Sequence, residues 1–111
     1  MHARVWNVRI RPGKLDEFRK ELASLTGPAH RQHGFRGSLA LVSDKSDSPE
    51  VTIIGVWDSL DDMRGSERNL FLMQAISRVL CCTDGFPEIT EQEIIAGSLF
   101  GAERDSDVTA A

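Results

Sequence analysis

Residues Glu50 to Ser59, EVTIIGVWDS, form a candidate β-strand with apolar side chains on both of its faces. By the two-residue period of a strand, Val51, Ile53 and Trp57 fall on one side and Ile54 and Val56 on the other. A strand in a small antiparallel sheet ordinarily alternates apolar and polar, because one face meets the core and the other meets water. The chain must therefore cover both sides of its sheet. At 111 residues it makes one domain with a modest core, and association with another chain is a common way to add buried area.

The remaining elements follow from periodicity and punctuation. Val5 to Ile10 is a strand with Trp6, Val8 and Ile10 on one face and Asn7, Arg9 and Arg11 on the other. Pro12 and Gly13 turn the chain. Leu15, Phe18, Leu22, Leu25 and Ala29 then form one stripe of an amphipathic helix, which ends between Thr26 and His33, where Gly27-Pro28 interrupts or kinks it and Gly34 closes it. Gly37 to Ser43 is a second strand, and the polar stretch at 44–49 is its hairpin connection to the opening strand. Ser59 is placed to cap a short helix with Asp61 and Asp62 in its first turn, and Gly65 breaks it. Ser66 is placed to cap a longer helix through Leu80, with Leu72, Ile76, Val79 and Leu80 as its buried stripe. Residues 83–88 read as a loop, and Ile89 to Ala96 as the last strand.

The order βαββαβ is that of a ferredoxin-like α+β fold, a four-stranded antiparallel sheet with both helices on one face. Its domain spans residues 1–96, and 97–111 form a small, polar tail or an arm reaching a neighbour. In this plan the second sheet face is bare, yet Leu39 and Leu41 oppose Ala40 and Val42 just as Ile54 and Val56 oppose Val51, Ile53 and Trp57. Each such side chain left in water forfeits roughly 1.5–3 kcal/mol. A second copy, sheet against sheet about a two-fold axis, is the simplest cover.

Composition narrows the partners. The net charge of −4, with dispersed Lys and Arg, gives no footprint for nucleic acid. No run is long enough to span a bilayer, and the first ten residues read as a strand rather than a signal peptide. Adjacent Cys81 and Cys82 are poorly disposed to bridge each other, as expected of reduced thiols in a cytoplasmic protein.

The stretches RIRPGKLDEFRKEL, HGFRGSLAL and IIGVWDSLDDM, in this order across residues 4–96, resemble the strand–turn–helix opening, the Gly-Phe-x-Gly second strand and the Trp-ended third strand of the antibiotic biosynthesis monooxygenase domain. The resemblance implies a homodimeric α+β barrel with a substrate cavity between helices and sheet in each subunit. It also implies cofactor-independent oxygenation of a small aromatic, phenolic or quinol substrate by molecular oxygen, with neither metal nor flavin. The family's polyketide oxygenases pair the third-strand Trp with an Asn four residues before it and a Tyr six after. Trp57 matches, but Ile53 and Met63 stand in the other two places, and the chain has no Tyr. The haem-degrading branch is disfavoured: counted from Trp57, Gly65 and Ala75 occupy its Trp and His positions, and Asn7 is offset by one from its Asn.

Cofactor-free oxygenation asks a protein to hold a substrate anion in a dry cavity beside hydrogen-bond donors. Trp57 offers an indole N–H and a stacking face, or is a core-filling aromatic at a strand end. Asn7 offers an amide, or a hydrogen bond inside the barrel or at an interface. His30 and His33, three apart at a helix C-terminus, are candidates for a base near the cavity mouth or for charge stabilisation of that helix end. Two histidines without a third ligand make a poor metal site. Two functions stand open: an oxygenase using these residues, or a non-oxygenase dimeric barrel acting as a small-molecule binding module or isomerase.

Overall fold

The strand with two apolar faces takes an interior place in a sheet ordered β2-β3-β1-β4, each neighbouring pair antiparallel. A computed structural model describes residues 1–43 and 47–98. It runs β1 His2–Ile10, α1 Leu15–His30, β2 Phe35–Val42, β3 Glu50–Trp57, α2 Leu60–Gly65, α3 Leu70–Leu80 and β4 Thr83–Glu93, with one 3-10 turn at Ser66–Arg68. This is the expected ferredoxin-like α+β plan.

Register fixes the two faces. Arg4, Trp6 and Val8 of β1 lie opposite Gly55, Ile53 and Val51 of β3, and this side meets the helices. Val8, Ile10 and Val51 pack there with Phe18 of α1, Val79 of α3 and Cys82. The α1 stripe behaves as its spacing predicts: Leu15, Leu22 and Leu25 close around this core. On the reverse side Val5 faces Ile54, and Ile54 faces Leu39 across β2. Leu41, on that same side, is 54% exposed.

Local chemistry sets the connections. Gly13 turns the chain at φ 78°, and Ser59 caps α2 by accepting from the Asp62 amide at 3.0 Å. Pro28 lies inside α1 rather than ending it. It falls in the last turn, and its carbonyl accepts from Gln32 Nε2 at 3.1 Å. Gly34, at φ 80°, then redirects the chain into β2.

Three expectations need correction. The cap of the long helix is Asn69, whose Oδ1 accepts from the Leu72 amide at 2.9 Å; the Ser66 hydroxyl donates instead to the Met63 carbonyl. Strand β2 starts at Phe35, two residues before Gly37. The last strand spans Thr83–Glu93, so 83–88 is not a loop. Turn-forming Gly85 and Pro87 are absorbed as a bulge, since pairing steps from Asn7↔Glu88 to Arg9↔Asp84. Within the hairpin connection and the C-terminal segment, residues 44–46 and 99–111 lie outside the described residues.

Candidate functional site

A cavity of about 360 Å³ opens between the helix-facing side of the sheet and helices α1 and α3, within the volume range of small-molecule sites. Its aromatic wall is a chain of edge-on contacts. Trp57, at the end of β3, is buried, and the Phe35 ring meets it at 5.0 Å between centroids and 70°. His30 in turn meets Phe35 at 5.2 Å and 84°. Trp6 adds a second indole. Both tryptophans of the chain therefore line this one space.

Glycine at position 55 shapes the floor. A Cβ there would sit 3.6 Å from Trp57 Nε1, so the indole N–H lies over bare backbone. Among the described residues it has no hydrogen-bond acceptor. Leu22, Leu72, Ile76 and Ile53 supply apolar walls. Ile53 occupies the place where the polyketide oxygenases carry an Asn, and Met63 is fully buried in the core rather than at the cavity.

One end of the cavity is charged. Arg4 donates through Nη2 to Glu67 Oε2 at 2.6 Å and to Glu91 Oε2 at 2.8 Å, while Arg64 reaches Glu91 Oε1 at 3.1 Å. These two guanidinium groups, Arg4 foremost, hold the Glu91 carboxyl below its ordinary pKa. Arg4 Nε is buried without a hydrogen-bond partner.

The four residues singled out from sequence separate into two groups. Trp57 and His30 come together in the cavity lining, Trp57 buried and His30 exposed at the C-terminal end of α1. His33 stands apart from the cavity lining; it is 94% exposed, with Nε2 3.6 Å from Asp62 Oδ1. Asn7 is on the reverse face of the sheet, where its Oδ1 accepts from Thr52 Oγ1 at 2.8 Å. The two histidines do not form a pair, and among the described residues no three His, Cys, Asp or Glu side chains cluster as metal ligands. Among the described residues, too, no helix is long and apolar enough to cross a membrane.

Sequence reasoning passed over Arg4 and Phe35. The signal for Arg4 was present: the Trp6, Val8, Ile10 face extends back to it, and a charge on a helix-covered face needs a partner. Phe35 was hidden because the strand was begun at Gly37.

The family model described as antibiotic biosynthesis monooxygenase matches residues 1–69. Among solved structures, SnoaB, a cofactor-independent oxygenase from Streptomyces nogalater, superposes with a TM-score of 0.71 at 19% identity, covering 86% of this chain and 95% of that one. A variant of it gives 0.74 at 18%, with 86% and 94% covered. A conserved protein from Methanosarcina mazei Go1 gives 0.69 at 17%, covering 82% and 90%. At such identities these likenesses establish the common fold. No curated protein matches the chain.

Proposed function

The chain belongs to the antibiotic biosynthesis monooxygenase family, and from that premise we propose that it is a cofactor-independent oxygenase of a small aromatic, phenolic or quinol substrate. The observation that carries this reading is the cavity itself, an apolar space walled by Trp6, Phe35 and Trp57, whose indole N–H has no acceptor among the described residues. A flat, electron-rich ring stacks against such walls. Loss of a proton makes that ring an anion able to reduce oxygen directly. For an activated methylene the balance is CH₂ + O₂ → C=O + H₂O: one oxygen atom enters the substrate, the other leaves as water, and the four electrons come from the carbon. The protein's share is to exclude water, hold the anion and donate hydrogen bonds to its oxygen.

In this reading Trp57 Nε1–H donates to that oxygen. His30 is the histidine of the cavity lining and is the base of this reading. Asn7 and His33 are left outside the chemistry. What supports a homodimer is the apolar reverse face around Ile54 and Leu41. In this reading residues 1–96 act as one domain, in a cytoplasm that keeps the free thiols of Cys81 and Cys82 reduced.

Oxygen uptake with a panel of quinols and anthrone-like phenols tests the proposal. The wild type is expected to consume oxygen with at least one of them, and Trp57→Phe to slow turnover roughly tenfold or more, the worth of a hydrogen bond to a charged oxygen. No turnover across the panel would overturn the oxygenase reading. One observation favours the second reading, a binding module or isomerase: Ile53 puts an aliphatic side chain where an amide is expected. A non-oxidised ligand retained on the purified protein and identified by mass spectrometry would establish it.

A further inference from the structure

Arg4 carries chemistry that neither packing nor the oxygenase reading uses. It sits in the third residue pair from the end of the sheet, opposite Gly55 on one side and Glu91 on the other. Its side chain is only 11% exposed, it lines the cavity, and its Nε–H has no acceptor within the described chain. A buried charged donor left unpaired is costly, and native structures keep few of them.

Its two carboxylate partners are not equivalent. Glu91 lies beside Arg4 in register and is held a second time by Arg64, so it is the fixed counterion. Glu67 follows Ser66 in the 3-10 turn, its side chain is 51% exposed, and Arg4 is its sole polar side-chain partner among the described residues. The four charges, Arg4 and Arg64 against Glu67 and Glu91, balance. If Glu67 swings into water, the cavity wall is left with one positive charge beside an apolar space, and a monoanion restores neutrality.

We propose that Arg4 is the anion-recognising residue of this cavity, and that its ligand is a flat aromatic carrying one ionised oxygen, which displaces Glu67 from the guanidinium and takes up the free N–H. The ring then lies against Trp57, Phe35 and Trp6. This rests on reading the cavity as an aromatic small-molecule site and adds the charge that the ligand carries and the group that selects it. Arg4 also favours the deprotonated form of a phenolic ligand, the form that reduces oxygen.

Because both tryptophans line the cavity, fluorescence titration reports occupancy without any turnover, so the result stands or falls separately from oxygen uptake. The probes are 2-naphthoate and its neutral analogue 2-naphthamide. The wild type is expected to bind naphthoate about tenfold more tightly than naphthamide, and Arg4→Met to abolish that preference, as loss of a charge-assisted hydrogen bond implies. Arg4→Lys keeps part of it, since the charge remains and the planar fork does not. Glu67→Gln is expected to strengthen naphthoate binding severalfold and leave naphthamide unchanged, because the competing carboxylate is gone. No preference for naphthoate in the wild type, binding of neither probe, or a preference that survives in Arg4→Met overturns the proposal. If Arg4→Met fails to fold by circular dichroism, Glu67→Gln decides: an unchanged naphthoate affinity overturns it.

Discussion

Glu91 shows how one side chain ties the sheet edge to the cavity wall. Hydrogen bonds from Arg4 at 2.8 Å and Arg64 at 3.1 Å depress its pKa, outweighing the small opposing effect of burial. A carboxyl whose folded pKa lies below its unfolded value adds stability that is fully present above the unfolded value. That stability is lost as pH falls through the folded one. Glu91→Gln is therefore expected to lower the thermal midpoint at neutral pH, with the gap to wild type closing on acidification below the ordinary glutamate range. Melting curves of both proteins at about pH 7 and about pH 3 check this; a gap that persists in acid would mean that Glu91 acts through packing instead. The same residues show what a sequence hides at this scale. Trp57 and His30 were legible because their residue types suggest chemistry wherever they stand. Arg4 was legible only as a charge on the Trp6 face, and its partners stayed hidden until register set it opposite Gly55 and Glu91. Asn7 was separable from Trp6 by parity alone. Its relation to Trp57, however, depended on an interstrand register that no single strand specifies.

Between elements, glycine conformation joins the helix that carries His30 to the strand that carries Phe35. Gly34 and Gly13 have nearly the same left-handed backbone, at φ 80° and 78°, but different surroundings. A Cβ on Gly13 would meet nothing within 4 Å, whereas on Gly34 it would fall inside 3.0 Å of the Asp62 side chain, its own Cβ included. Gly13→Ala should therefore cost about 1 kcal/mol, the conformational part alone. Gly34→Ala adds a steric part and should cost about 2–3 kcal/mol in all. Urea unfolding midpoints of the two variants measure the difference, and equal costs would show that Asp62 yields freely. Gly34→Ala should also weaken ligand binding, because Phe35 and His30 flank the displaced turn. Elements with a strong period were legible: α1, β1 and β3 stand where their apolar stripes put them. β4 was misread because Gly85 and Pro87 carry the composition of a loop. Tertiary pairing with β1 on both sides of them turns that composition into a bulge. Ser66 and Asn69 are both good caps by type, and the choice between them was made by the 3-10 turn that consumes Ser66.

At the scale of the whole molecule, the sheet has one face closed by helices and, among the described residues, one without cover. The reverse face runs through Val5, Ile54 and Leu39 in adjoining register, with Leu41 more than half exposed beyond them. Ile54 is central to it, flanked by β1 on one side and β2 on the other. A second copy placed sheet to sheet would cover this row, and two sheets packed at the usual spacing of about 10 Å bury both inner faces together. The apolar residues that demand such a partner were readable from EVTIIGVWDS alone, because alternation is a property of one strand. The partner is not, since nothing in a single chain's period identifies its neighbour. Sedimentation at low micromolar concentration is expected to give a particle of twice the chain mass. A glutamate at the centre of the buried face would leave two like charges in an apolar layer, so Ile54→Glu should shift the particle to a monomer. Its helix content by circular dichroism should persist, because α1 and α3 pack on the opposite side. A wild type that is already a well-folded monomer would remove the need for cover and, with it, the dimeric barrel.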